Sequence, residues 1–228
     1  MMSVPRALAV ALLLLACRRD AAHSPAAHNH PAPASGAADD DVPPCHRHRG
    51  DASAAAAAPV AARPLPDTSL FHIESEWTTQ SGARFRFASL RGSPTFVLMF
   101  YGSCQAVCPI LIGDVLRVEA ALSPAARART RFVLITLDPA TDTPARLAEL
   151  AASHHLDPAR WTLLHGTDED IRTVATVLGV QYSRIGPAEY THSNTITLLD
   201  PQGLVAQQLE GLRQPVEPIA RAAEALTP

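Results

Sequence analysis

The chain has little cysteine: four residues in 228. Four are too few for a disulfide-stapled scaffold, and their spacing points to chemistry instead. It carries no block of basic residues, and its formal charge is −3. Nucleic-acid binding therefore has no electrostatic footing. No apolar run is long enough to span a bilayer, which takes roughly 20 residues. The longest, Ala7 to Ala16, has ten. No internal repeat is present. Residues 18 to 66 contain no aromatic residue, isoleucine or methionine. Such a segment cannot bury enough apolar surface to offset its ordering entropy.

These absences divide the chain. Arg6, the short apolar run and the small residues after it have the shape of a secretory signal, residues 1–16. The run ends Leu14-Leu15-Ala16-Cys17, which resembles a bacterial lipobox. Cleavage before Cys17 and lipidation of its sulfur are expected, with an ordinary signal peptide as the plain alternative. A lipid would hold a soluble domain on a membrane without a spanning helix. Residues 17–66 read as a tether rich in Ala, Pro and His. Residues 67–228 carry every aromatic side chain of the protein. A domain of that size buries roughly 70% of its unfolded surface, enough for one core.

Within the domain, "LFHIES" and "ARFRFAS" around "EWTTQSG" predict a hairpin with Gly82 in its turn. "PTFVLMFY" and "RFVLITLD" are continuous apolar runs, the pattern of strands buried on both faces. Pro109 opens a helical pattern from Ile110 to Leu122. Thr143 caps a helix that runs to about His154. "WTLLHG" is a short strand. Asp168 is placed as the cap of a helix that stops at Gly179. "NTITLLD" and "LVAQQLEG" flank a turn at Asp200–Gly203, and a last helix covers about Val216 to Leu226. The order predicts an α/β domain, one mixed sheet with helices on both faces.

The chemistry concentrates in "FYGSCQAVCPIL". Cys104 and Cys108 stand at the carboxyl end of a predicted central strand, the edge where α/β sheets usually hold sites. Cys108 precedes Pro109 at a helix start, where amide groups and the helix dipole favour a thiolate. That position predicts a lowered pKa for Cys108. Residues four apart on a helix hold their Cβ atoms about 5–6 Å apart, wider than the roughly 3.5–4.5 Å of an unstrained disulfide. Two sulfurs sharing a metal tolerate the wider gap. The pair leans toward a metal, and a disulfide in the empty state stays open. Ten histidines compete as a further ligand. His23, His28, His30, His46 and His48 lie in the tether. His154 and His155 fall at a helix end, and His72 and His165 on predicted strands. His192, in "YTHSNTITLLDPQG", is a loop residue just before a strand.

The segments "FVLMFYGSCQAVCP", "ITLDPATDTPARLAEL", "WTLLHGTDEDIRTVATVLGV" and "YTHSNTITLLDPQG", in this order, resemble the Sco/SenC family of copper-binding, thioredoxin-like proteins. The resemblance covers nearly all of residues 67–228. It implies a thioredoxin-like fold with an N-terminal hairpin. It places copper ligands on Cys104, Cys108 and His192, and an acidic residue near the site on Asp138. It implies delivery of copper to the binuclear centre of cytochrome c oxidase, with the copper-centre subunit and a periplasmic copper donor as partners. Soft thiolates suit Cu(I), and imidazole suits copper in either oxidation state. Zinc would fit given a fourth ligand. Two positions depart from the family: Gln105 stands where proline is frequent, and Gly102 where threonine is. The implied protein is a lipid-anchored periplasmic metal carrier rather than an enzyme. The alternative is a thiol–disulfide oxidoreductase using Cys104 and Cys108. Against it, Thr191-His192-Ser193-Asn194 has no proline where such enzymes clamp a peptide. In the tether, His28, His30, Cys45, His46 and His48 are candidates for auxiliary metal capture.

Overall fold

The computed structural model describes residues 64–227. Cys17, His28, His30, Cys45, His46 and His48 lie outside the described residues, as do the expected signal segment and nearly all of the tether. Leu70–His72, expected in a strand, forms a turn of 3-10 helix. Ser69 Oγ accepts the amide of Phe71 and closes that turn, so the backbone is not offered to a sheet. The hairpin follows as β1 (Trp77–Thr79) and β2 (Arg84–Phe85). Gly82 supplies its turn at φ 79°, a left-handed value that glycine adopts without a steric penalty.

The rest alternates. In order come β3 (Thr95–Phe100), α1 (Cys108–Ala121), α2 (Pro124–Arg129) and β4 (Arg131–Thr136). Then come α3 (Pro144–Ser153), β5 (Trp161–His165) and α4 (Asp168–Leu178). A hairpin, β6 (Tyr182–Gly186) with β7 (Glu189–His192), precedes β8 (Thr195–Leu199), β9 (Val205–Glu210) and α5 (Glu217–Ala225). Short α2 escapes a periodicity argument because six residues, mostly Ala and Arg, draw no apolar stripe; Ser123 caps it through the Ala126 amide. The cap of α4 is Thr167 rather than Asp168. Thr167 and Asp170 answer each other's backbone amides, a reciprocal pair that Asp168 cannot form one position later.

Seven strands share one mixed sheet in the order β2-β1-β5-β4-β3-β8-β9. β3, β4 and β5 run parallel, and β8 runs antiparallel to β3. Alternate residues of the central strands feed opposite cores. Phe96, Leu98, Phe100, Phe132 and Leu134 pack with Val115 of α1, Leu147 of α3 and Ile219 of α5. Val97, Met99, Val133 and Ile135 pack with Ile171 and Val174 of α4. Every residue of β3 is buried because both faces are covered. The fold is α/β, a mixed central sheet with helices on both sides. Among the described residues, no helix is long and apolar enough to cross a membrane.

This topology gathers the candidate residues. Parallel β3 and β4 bring the loops after Phe100 and Thr136 to one edge. Leu98 pairs with Ile196 and Thr95 with Leu199. The start of antiparallel β8 therefore meets the end of β3, and residue 192, just ahead of β8, arrives beside the sulfur loop.

Candidate metal centre

Cys104 lies in the loop after β3, and Cys108 is the first residue of α1. Val107, at the cap position, makes no side-chain cap bond. Instead Cys104 Sγ accepts the Cys108 amide at 3.4 Å. A helix start leaves its first amides without partners, and here a sulfur takes one of them. Cys108 is turned inward and only 2% exposed, whereas Cys104 is half-buried. Both thiols are free.

The two sulfurs therefore differ in charge preference, opposite to the sequence expectation. Burial pushes the Cys108 thiol up to about 12, and Cys104 and Asp142 add to the rise. Burial also pushes Cys104 up, but hydrogen bonds from the Cys108 and Ala106 amides and from the Cys108 and Tyr101 side chains outweigh it and bring it down to about 7. The helix start does favour a thiolate, but not on Cys108, where it was expected. It favours the sulfur outside the helix, which can lie across the free amides, over the one built into the first turn.

His192 ends β7, and is thus in a strand rather than in a loop. Its Nδ1 bonds the carbonyl of Ser193 at 2.9 Å. A carbonyl only accepts, so Nδ1 carries the proton and Nε2 keeps a lone pair. That Nε2 lies 3.6 Å from Cys108 Sγ. Burial lowers the histidine's pKa and keeps the ring neutral. Two donors are in contact, and Cys104 stands one hydrogen bond away, on the loop. Among the described residues, no three His, Cys, Asp or Glu side chains already form a metal cage. The donor set, two sulfurs and a neutral imidazole of fixed tautomer, fits a soft ion.

Three further residues border the site, and sequence reasoning gave them no role. Asp142, almost fully buried, takes the Gly102 amide on Oδ2 at 2.8 Å and the Thr136 hydroxyl on the same oxygen. It lines a cavity of about 500 Å³ together with Cys104, Cys108, Ile112 and Leu147. Its only signal was the second acid of D-P-x-x-D-T-P. Tyr101 helps to lower the Cys104 pKa and sets its ring edge-on to His192, centroids 5.9 Å apart. Tyr190 packs against Tyr101 at 5.4 Å. Asp138 stands behind Tyr190, whose hydroxyl donates to Oδ1 at 3.3 Å. Asp138 thus reaches the donors through two aromatic rings rather than by contact. His154 lines the same cavity, and His165 bonds the Pro139 carbonyl at 3.1 Å.

The sequence profile of the SCO1/SenC family matches residues 66–227. A protein of Stutzerimonas stutzeri named for copper binding is 26% identical over 132 residues, which is 56% of this chain and 63% of that protein. The chain spans 63–64% of the length of the curated relatives it matches. Among solved structures, Bradyrhizobium japonicum ScoI with copper bound is 27% identical, with a TM-score of 0.52 over 66% of this chain and 94% of that one. A SCO1/SenC family lipoprotein from Bacillus anthracis shares the fold at a TM-score of 0.62, with 24% identity over 68% of this chain and 93% of that one.

Proposed function

The chain belongs to the SCO1/SenC family, and from that premise we propose that it is a copper carrier that loads the binuclear copper centre of cytochrome c oxidase. The observation that carries this reading is the convergence of Cys104, Cys108 and His192, residues from two distant stretches, on one sheet edge. The copper-binding name of the Stutzerimonas relative and the copper in Bradyrhizobium ScoI support the choice of ion.

Copper is here cargo, held and then given up. Cys104 and Cys108 bind Cu(I) as thiolates. Cys104 is nearly ready at neutral pH, while Cys108 gives up its proton only as the ion arrives. His192 adds a neutral nitrogen through Nε2, which suits Cu(II) as well. Release proceeds by exchange onto the ligands of a partner protein, which needs the half-exposed Cys104 at the surface. Anaerobic titration of the reduced chain with Cu(I), then with Cu(II), tests the reading through stoichiometry, X-ray absorption and, for Cu(II), ligand-field spectra. One ion per described domain with sulfur and nitrogen ligation is expected. Binding that survives loss of both cysteines overturns it.

Export and lipid attachment at Cys17 belong to the same proposal, with the carrier on the periplasmic side of a bacterial membrane. The lipobox-like run supports them, and the mass of the mature N-terminal peptide tests them. His28, His30, Cys45, His46 and His48 form a proposed auxiliary capture segment. Deleting residues 23–50 is expected to lower copper stoichiometry above one per chain.

One observation favours a second reading. A half-buried thiol with a pKa of about 7 beside a buried partner is the arrangement of a thiol–disulfide reductase. Cys104 would attack a substrate disulfide and Cys108 would resolve the mixed disulfide, passing two electrons and two protons to the substrate. Rapid turnover of a mixed disulfide by the copper-free protein would rank this reading first.

A further inference from the structure

Strand β7 alternates: Glu189 and Thr191 are exposed, while Tyr190 and His192 face the body. Residues two apart on a strand share a face. Whatever holds Tyr190 therefore also sets the direction of His192. Sheet pairing does not hold it, because β6 and β7 pair with each other and not with the seven-stranded sheet.

Polar bonds do. The Tyr190 hydroxyl donates to Asp138 Oδ1 at 3.3 Å and accepts from Arg184 Nε at 3.0 Å. Arg184 Nη2 donates to the same Oδ1 at 3.2 Å, and its guanidinium carbon lies 5.3 Å from the Tyr190 ring centroid. Asp138 is 0% exposed, and its Oδ2 has no partner. A buried carboxylate with one bare oxygen is costly, so the two donors from the hairpin are its main compensation. Tyr101 packs on Tyr190 and on His192 together. At the hairpin tip, Ser103 Oγ donates to the Ala188 carbonyl at 2.9 Å. Ser103 adjoins Cys104, so this bond joins the tip of the arm to the sulfur loop.

We propose that Tyr190 is a positioning residue: it latches the β6–β7 arm to Asp138, and the latched arm sets His192 Nε2 against Cys108 Sγ. The proposal rests on the copper reading above. The latch is polar and reaches the surface, since the Arg184 side chain is 51% exposed. Opening it breaks a few hydrogen bonds and withdraws Tyr190 from the edge of one core, while the other core is untouched. The arm then moves as a unit and takes the imidazole off the ion, leaving the two sulfurs. The device therefore separates a three-donor state from a two-sulfur state. Cu(II) depends on the difference more than Cu(I), which is content with two thiolates.

The test is Tyr190→Phe in the full chain, which keeps the ring on Tyr101 and removes the hydroxyl. Amide hydrogen exchange over residues 182–192 in the copper-free protein should rise about tenfold, as expected for the loss of one or two hydrogen bonds. Cu(II) affinity should fall by a similar factor with an altered electron paramagnetic resonance spectrum, and Cu(I) affinity should stay within about twofold. Ser103→Ala, which frees the tip alone, should move the same three readouts in the same direction. It decides the matter should Tyr190→Phe not fold. Unchanged exchange, or faster exchange with unchanged Cu(II) binding, overturns the latch, provided that His192→Ala does weaken Cu(II). If His192→Ala leaves Cu(II) binding intact, the ligand reading fails, and faster exchange in Tyr190→Phe still upholds the arm as latched.

Discussion

Cys108 Sγ and His192 Nε2 lie 3.6 Å apart although 84 residues separate them in the chain. The contact joins the first turn of α1 to the end of β7. It is made by a thiol pushed up by burial and an imidazole pushed down by burial, so both partners are neutral before an ion arrives. A metal ion changes that balance, because it binds the thiolate and displaces the proton.

Replacing the imidazole separates binding from folding. His192→Ala removes one nitrogen donor and one hydrogen bond to a carbonyl. Stability should change by only about 1 kcal/mol, the typical net worth of such a bond. Cu(II) affinity should fall at least about tenfold, since loss even of residues that only support a ligand has that effect. Competition titration beside thermal unfolding measures both in one preparation.

The sulfurs should react in a fixed order. At pH 7 in the copper-free, reduced protein, iodoacetamide should label Cys104 well before Cys108. Cys104 is half-buried with a pKa of about 7, and Cys108 is buried with a pKa of about 12. Peptide mass mapping over a time course gives the order, and equal rates would contradict the assignment of the thiolate to Cys104.

Stability should follow pH in two opposite limbs. An unfolded thiol titrates near its ordinary value, about 8.5. Cys104 is lower in the fold, so its contribution is full above that value and is lost as pH falls through about 7. Cys108 is higher in the fold, so its contribution is full below the ordinary value and is lost as pH rises toward about 12. The pair together favours the fold most near pH 8 to 9. Thermal melts of wild type and Cys104→Ser across pH 6 to 10 isolate the first limb, which should disappear in the variant.

Gly102 should resist the threonine that the family resemblance leads one to expect there. A Cβ at this position would clash with Asp142 Oδ1, and the Gly102 amide already donates to Oδ2 of the same carboxylate. Gly102→Thr should cost about 1–3 kcal/mol, the usual range for overpacking. Combined with Asp142→Ala, it should cost less than the sum of the two single changes, because the clash is gone. A double-mutant cycle by denaturant unfolding reads that coupling.

Much of the frame was legible in the sequence because it rests on periodicity. "PTFVLMFY" and "RFVLITLD" have the pattern of doubly covered strands, and they are β3 and β4. Pro109, Thr143 and Gly179 marked helix ends because their restrictions are local: a fixed φ, a capping hydroxyl, a left-handed backbone. The β6–β7 arm was not legible. It pairs with itself, exposes most of β6 and shows no clear alternation there. Leu70–His72 looked like a strand because its residues suit one, but a single serine hydroxyl closed the backbone on itself. His192 was found by its place before a strand and by family resemblance, and Tyr101, Tyr190 and Asp142 were passed over because a tyrosine or a second acid in a loop carries no signal of what it will touch.

By itself the sequence determined the buried central strands, the helices with marked ends, the order in which these alternate, and the donor atoms on offer. Each of these follows from residues within a turn or a strand of one another. Only the tertiary structure decided which sulfur carries the charge, and which way the imidazole points. Those outcomes depend on desolvation and on hydrogen bonds from groups tens of residues away. Neither a thiol nor a histidine has a fixed pKa or orientation until the rest of the chain has closed around it.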